Sequence, residues 1–344
     1  MRDKIAKIRR KKKPEIDTSA RVTNDTVAVH REEILRGARR YIYPLQHTKH
    51  RLVIISLSLF VVSLLAFFGY CSFVLYKSKT SSDFMYKVTK VIPFPIARIG
   101  SEFVLYENYL FEINHYVHYY ETQQELDFNS DAGQLQLAEF KKRALEKVIN
   151  DTYIRGIAKE KGITVSDTEI DEAITVVRNQ NRLSGSDAEL EAILRDYWDW
   201  SISDFRRSLK DQLLAQKVVS ALDTQTHDRA NVALAQLKNG KDFAEVAKSV
   251  SDDPETKARG GEYPFLIEKT NRDISPRTVE ALFALKPGKH SEVVDVGYGL
   301  EIVKNIEVKG NQIRAAHIVF NFKDINEYLN DAKEERKTRS YVSL

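Results

Sequence analysis

Residues 233–265 read ALAQLKNGKDFAEVAKSVSDDPETKARGGEYPF. Val232, Leu234, Leu237, Phe243, Val246 and Ala247 recur at helical spacing, which predicts two short helices broken at Asn239-Gly240. Ser251-Asp252-Asp253-Pro254 then opens a loop that runs to Gly260-Gly261. Downstream, VEALFALKPGKHSEVV (279–294) reads as a helix, a Pro287-Gly288 turn and a strand. GYGLEIVKNIEV (297–308) reads as a strand entered through glycine, and QIRAAHIVF (312–320) as another strand after Lys309-Gly310-Asn311. Short helices and short strands alternate through this region.

Working toward the N-terminus, the pattern becomes helical. In IARIGSEFVLYENYLFEINHYVHYYE (96–121), Ile96 to Ile99 predicts a strand, Gly100-Ser101 a turn and Phe103-Val104 its return. A helix follows, carrying Tyr109, Leu110, Ile113, Tyr116 and Val117. Residues 125–135 are polar and read as a loop. Phe140, Leu145, Val148, Ile149, Tyr153 and Ile157 make the stripe of the next helix, which Gly162 ends. Ser166 to Glu169 and Ser186 to Glu189 are capping boxes for two more helices. Ser201 or Ser203 caps a last one, with Phe205, Leu209, Leu213, Leu214 and Val218 on its apolar side. Tyr197 to Trp200 reads as an aromatic connector, with Trp198 and Trp200 packed between helices.

Further back, 25 residues between Arg51 and Lys77 carry no charge. A helix of that length spans a hydrocarbon core of ~30 Å with some tilt. Fifty residues precede the run, and no small-x-small site lies near Gly69. That argues against a cleaved signal peptide. The length and the basic flanks argue against a buried core helix. Residues 1–51 hold 15 Lys+Arg against 6 Asp+Glu, so the positive-inside rule predicts a cytoplasmic N-terminus and an extracytoplasmic remainder. Residues 1–26 lack periodicity and are expected to be disordered; Glu32 to Leu45 is expected to form a basic amphipathic helix on the membrane surface.

The whole chain has 344 residues, 42% hydrophobic and 30% charged, which excludes a collagen-like or wholly disordered protein. A single Cys excludes an intramolecular disulfide framework and a Cys-based zinc finger. The net charge of +4 divides into a basic tail and a mildly acidic body, which is not the footprint of a uniformly basic nucleic-acid binder. The cluster at Arg9 to Lys13 fits a topology and anionic-lipid signal better than a nucleic-acid site. His115 and His118 stand at i,i+3 with no third ligand nearby, and Gly260-Gly261 is followed by no Gly-Lys-Ser/Thr. No metal and no cofactor is expected.

The C-terminal unit resembles the parvulin domain of peptidyl-prolyl isomerases, a resemblance that implies a small α+β unit with an antiparallel sheet. The resemblance is carried by Leu237, Gly240, Asp242-Phe243, Ala247, Ser251 and Asp253-Pro254. It continues through Gly260-Gly261, Phe283 to Gly288, Ser291 and Gly297-Tyr298-Gly299 with Ile302-Val303. The chemistry implied needs no nucleophile. The X–Pro bond has a rotational barrier of about 18–20 kcal/mol, and catalysis means favouring a twisted amide through an apolar grip on the ring and a polar group near the carbonyl. The resemblance places Asp253 on the family's Cys/Asp position, Ile274 on its apolar Met position, and Tyr263 where Leu is usual. Thr278 stands where a Phe contacts the ring, and Glu301 where the last strand carries His. Phe283 also matches.

The family's first strand, ahead of its first helix, is missing here. His227 lies in a polar stretch without a strand around it. Instead, Ala315-Ala316-His317-Ile318-Val319 supplies that strand's sequence at the other end. Two explanations are open. In a permuted domain, 300–308 and 313–321 form a hairpin, and His317 joins Asp253 and Glu301 in the catalytic set. In the other, a second, truncated repeat begins here.

The stretches LEKVINDTYIRGIAKEKGITVSDTEIDEAI (145–174) and SDFRRSLKDQLLAQKVV (203–219) resemble the N-terminal chaperone region of the SurA and PrsA foldases. That resemblance implies a helical cradle for unfolded or extended polypeptide; the alternative is a helical spacer. The expected domains are a cytoplasmic tail (1–50), a transmembrane helix (52–76), a chaperone region (81–222), a parvulin-like domain (223–322) and a charged helix or tail with a frayed end (323–344). The expected function is a membrane-anchored prolyl isomerase and chaperone. The catalytic candidates are Asp253, His317 and Glu301; the substrate-binding ones are Tyr263, Ile274, Thr278 and Phe283. Its partners would be X–Pro-containing polypeptides and the lipid bilayer, with no nucleic acid. The alternatives are a non-catalytic peptide-binding chaperone and an envelope scaffold whose basic tail recruits a cytoplasmic partner.

Overall fold

A computed structural model describes residues 23–42, 45–181 and 186–343. The chain divides into two compact units, residues 1–73 and 74–344.

In the first unit, α1 spans Asn24–Ile42 and α2 Leu45–Ser72. The helix expected from Glu32 therefore starts earlier, and Asn24 to Thr26 are helical where disorder was expected. Residues 1–22 lie outside the described residues. The helical stretch His50–Ser78 has a mean hydropathy of 2.7, and its apolar core is unburied by protein, so it is long and apolar enough to cross a membrane.

In the second unit, a π-helical turn reaches Ser78, and α3 (Asp83–Val91) is capped by Ser82. Strands β1 (Pro95–Ile99) and β2 (Glu102–Leu105) form the expected hairpin over Gly100-Ser101. Five helices follow: α4 (Tyr106–Thr122), α5 (Asp131–Lys161), α6 (Asp167–Gln180), α7 (Asp187–Trp198) and α8 (Ile202–Leu222). Helix α5 begins inside the stretch expected as a loop, because Ser130 accepts the Gly133 N–H and nucleates it early. It ends where Gly162 takes φ +67°, a left-handed backbone that glycine adopts without strain. Ser166 with Glu169, and Ser201 with Asp204, make reciprocal capping boxes. Val165, Ile170, Ile174, Leu190, Leu194, Phe205 and Leu209 close one core between α6, α7 and α8, with Trp198 and Trp200 packed against it.

The polar stretch after Leu222 is a helix. Asp223 caps α9 (Thr224–Lys238), so His227 is helical. Then come α10 (Phe243–Val250), α11 (Pro254–Lys257), β3 (Ile267–Glu268) and α12 (Pro276–Ala284). Strands β4 (Val294–Asp295), β5 (Gly299–Lys309) and β6 (Gln312–Asn321) complete an antiparallel sheet of order β3-β6-β5-β4. β5 and β6 pair along nearly their whole length, from Gly299↔Asn321 to Lys309↔Gln312. The strand at 312–321 is thus the second arm of a hairpin and sits at the sheet's centre. It is not the start of a separate repeat.

Strand alternation gives this sheet two working faces. Leu300, Ile302, Ala316, Ile318 and Phe320 pack on α9 and α10 through Leu234, Leu237, Phe243 and Val246. Val303, Ile313 and Ala315 pack on the opposite side with Tyr263, Val279 and Leu282. Each fully buried Leu, Ile or Val here contributes about 1.5–3 kcal/mol.

The last segment is built into the helical region. Helix α13 (Ile325–Glu335) packs on α5 and α8, and β7 (Thr338–Ser340) pairs antiparallel with β1. The Tyr153 hydroxyl bonds the Arg336 carbonyl and lies 3.0 Å from Thr338 Oγ1. Within the segment expected to fray, Thr338–Ser340 form an edge strand.

Candidate active site

The site is assembled on β6. The loop after α10 is stitched along this strand by backbone and side-chain bonds. Ser251 Oγ accepts the Val319 N–H at 3.1 Å, and the Asp252 N–H donates to the Val319 carbonyl at 2.8 Å. Asp252 Oδ2 accepts the Asn321 N–H at 3.0 Å, and Arg229 braces the same carboxylate. On the far side of the loop, His317 N–H donates to the Gly261 carbonyl at 2.9 Å and Tyr263 N–H to the Ala315 carbonyl at 3.0 Å. Gly261 has φ +83°, and a Cβ there would stand 2.1 Å from the His317 carbonyl oxygen. Only glycine lets the loop approach so closely.

Asp253 is thereby carried to His317. It is the N-cap of α11, with Pro254 at the first helical position, and accepts the Glu255 and Thr256 N–H groups at 3.0 and 3.3 Å. Its Oδ2 lies 3.0 Å from His317 Nε2. The Thr256 hydroxyl donates to that oxygen too, and sits 3.0 Å from the same imidazole nitrogen. Burial works against the Asp253 carboxylate, but the bonds from Thr256, the Glu255 N–H and His317 outweigh it and hold its pKa below the usual range.

The imidazole's other nitrogen faces away from Asp253. Tyr263 places its hydroxyl 2.6 Å from His317 Nδ1, with the two rings 4.2 Å apart. Burial, then the neighbouring Glu301 charge, pushes the phenol's pKa strongly upward, so it stays protonated. Glu301 Oε1 lies 3.8 Å from Nδ1, beyond hydrogen-bond distance. Glu301 Oε2 instead accepts the Thr278 hydroxyl at 2.6 Å. His317 pairs with Val303 across the β5–β6 ladder, and Glu301 is two residues further along the same face.

Five of the seven residues singled out from sequence therefore gather at one place: Asp253, His317 and Tyr263 in one hydrogen-bond network, with the Thr278–Glu301 pair beside it, 3.8 Å from His317. Thr278, Glu301 and His317 are buried, at 0, 3 and 7% exposure, whereas the Asp253 side chain is 20% exposed. Asp253 is the member that reaches solvent. Ile274 and Phe283 make no hydrogen bond to the network. They join the apolar cluster of Tyr263 and Val279, and they line a cavity of about 680 Å³ with Val176 and Gln180 of α6. Thr256 was not singled out from sequence. Its signal is its place three residues after a capping aspartate, where the helix start turns its hydroxyl toward the cap.

Comparisons with known proteins follow the same division. Residues 45–219 match the SurA-like N-terminal domain, and residues 213–307 match the PPIC-type PPIase domain, called rotamase. The second match stops inside β5, ahead of the strand that bears His317. Chaperone SurA of Nitrosospira multiformis is 25% identical over 254 residues, covering 58% of this chain and 56% of its own. Chaperone SurA of Aromatoleum aromaticum is 30% identical over 195 residues, covering 54% and 38%. Foldase protein PrsA of Caldanaerobacter subterraneus subsp. tengcongensis is 29% identical over 180 residues, covering 48% and 56%. The chain spans about half the length, or less, of these relatives. A SurA-like helical region joined to a parvulin sheet, matched over half the chain by the first and over most of the remaining core by the second, places this protein in the family of SurA- and PrsA-type foldases with a PPIC-type isomerase domain.

Proposed function

We propose that this protein is a membrane-anchored, extracytoplasmic peptidyl-prolyl isomerase and chaperone for secreted or envelope proteins. The observation that carries the reading is the Asp253–His317 pair at 3.0 Å, assembled by the β5–β6 hairpin on a parvulin sheet. Asp253 presents a partly exposed acceptor where a prolyl amide would dock, backed by His317 and Thr256. Tyr263, Ile274 and Phe283 supply apolar surface on the same side of the sheet. A carboxylate fixed in advance costs no reorganisation as the amide twists and its charge redistributes.

The supporting division of labour is a cytoplasmic tail at 1–50, a membrane helix at 52–76, a polypeptide-binding region at 81–222, the isomerase domain at 223–322 and a closing segment at 323–344. The apolar stretch His50–Ser78 and the basic residues ahead of it support the anchoring and the orientation.

A second reading is favoured by one bond. The Thr278 hydroxyl donates to Glu301, so the position that grips the proline ring in the family is here committed to a buried carboxylate. On that reading the parvulin sheet binds peptide without catalysis. Proline-limited refolding of an unfolded client, with the full chain in detergent micelles, separates the two. Acceleration that Asp253→Ala abolishes supports the isomerase. Suppressed aggregation with an unchanged refolding rate supports the binding module and sinks the isomerase.

A further inference from the structure

The isomerase reading uses the ring of Tyr263 and leaves its hydroxyl, which faces inward to His317, without a role. We infer that Tyr263 is a positioning residue whose hydroxyl donates to His317 Nδ1 and so fixes the imidazole with its proton on Nε2, aimed at Asp253. This rests on the proposed isomerase reading for its catalytic consequence, but not for the geometry.

The argument follows from donors and acceptors. Asp253 is ionised and can only accept, so a bond between its Oδ2 and His317 Nε2 at 3.0 Å needs the proton on Nε2. A neutral imidazole with that proton has a bare lone pair on Nδ1. Two groups face it: the Tyr263 hydroxyl at 2.6 Å and the Glu301 carboxylate at 3.8 Å. Glu301 stands beyond hydrogen-bond distance, and its other oxygen is held by Thr278. Only the phenol satisfies the lone pair. Nδ1 is buried, so an unsatisfied lone pair there would be penalised, and the opposite tautomer would set two acceptors, Nε2 and the carboxylate, against each other.

The consequence is a directed chain from the Tyr263 O–H through His317 Nδ1 and Nε2–H to Asp253 Oδ2. The last oxygen also accepts from Thr256. Three donors, the Thr256 N–H and hydroxyl and His317 Nε2–H, converge on one carboxylate oxygen and set the direction of the free lone pairs on the exposed group. The Tyr263 hydroxyl acts on substrate only through His317 and Asp253. At this position the parvulin family usually has a leucine, which cannot make such a bond.

The test is ¹⁵N NMR of the full chain in detergent micelles, labelled at histidine, with His317→Gln to assign the signal. The expected result is an N–H-type Nε2 and a lone-pair-type Nδ1 at His317 at neutral pH, changing to a mixture of tautomers in Tyr263→Phe. An Nδ1–H tautomer in the wild type, or an unchanged His317 in Tyr263→Phe, would overturn the inference. Unmoved signals from His115 and His227 report that the variant is folded. In the isomerase assay, Tyr263→Phe is expected to lower kcat about fivefold with KM unchanged, the effect of one lost hydrogen bond. A wild type without isomerase activity defeats the isomerase reading and leaves the tautomer result to stand or fall by the spectrum.

Discussion

The Thr278 hydroxyl sits 2.6 Å from Glu301 Oε2, and both side chains are buried. These two residues are 23 positions apart, one on α12 and one on β5. Each alone looks like a loss relative to a parvulin, a missing ring contact and a missing histidine. Together they satisfy one another: a small hydroxyl leaves room for the carboxylate and gives it a donor. The pair explains how the sheet tolerates an acid on its packed face.

Removing the donor should therefore be costly. Thr278→Val keeps the shape and leaves Glu301 without its hydroxyl partner, for an expected loss of about 1–3 kcal/mol. Thr278→Ser should lose less, since it keeps the bond. Urea-unfolding midpoints of the two variants against wild type check the order. Equal loss in both would mean that the methyl group, not the bond, matters.

Gly261 and Gly162 both have positive φ but different surroundings. Nothing lies within 4 Å of a Cβ built on Gly162, while one on Gly261 would meet backbone at 2.1 Å. Gly162→Ala should cost about 1–2 kcal/mol, the left-handed penalty alone. Gly261→Ala should cost more than about 3 kcal/mol and should abolish the proposed isomerase activity, because it pushes the loop bearing Asp253 off β6. Thermal melts and activity of the two variants separate these effects.

Asp253 gives the acid limb a definite sign. Its native pKa is depressed, so the carboxylate stabilises the fold above its unfolded value near 3.9 and that stabilisation is lost as pH falls through the native value. Asp253→Asn should flatten stability against pH below about 4 and leave it unaltered in slope above about 6. Chemical denaturation between pH 2 and 7 would show it; the same acid slope in both proteins would refute the assignment.

His115 predicts a second window. Burial among Phe111, Tyr116 and Trp200 pushes its pKa down to about 4, against a weaker opposing bond to the Phe111 carbonyl. The unfolded chain then takes up the proton first. Stability should fall as pH drops from about 6.5 toward 4, and His115→Gln should remove that fall. The imidazole's own NMR titration gives the native pKa directly.

Local chemistry explains what could be read in advance. Capping at Ser166 and Ser201, the glycine stop at 162, the Gly100-Ser101 hairpin and the alternation of Ala316-His317-Ile318-Val319 are written in short windows, and each was legible. The site was legible in part for the same reason, since Asp253 and His317 sit in recognisable segments. Their meeting depended on a hairpin of which only the turn is local. What escaped was set by distant partners. Helix α9 begins at Thr224 because Asp223 caps it and also holds the Lys323 N–H, a hundred residues away. β7 exists because β1 offers it an edge, and the bond of Tyr263 to His317 crosses 54 positions.

The central claim is best tested by cis–trans exchange of X–Pro peptides, followed directly by NMR with the full chain in nanodiscs. Wild type should speed exchange on at least part of a peptide set, and Asp253→Ala should return it to the uncatalysed rate while still binding an unfolded client. Exchange at the uncatalysed rate with wild type, from a folded protein that binds the same peptides, would contradict the account.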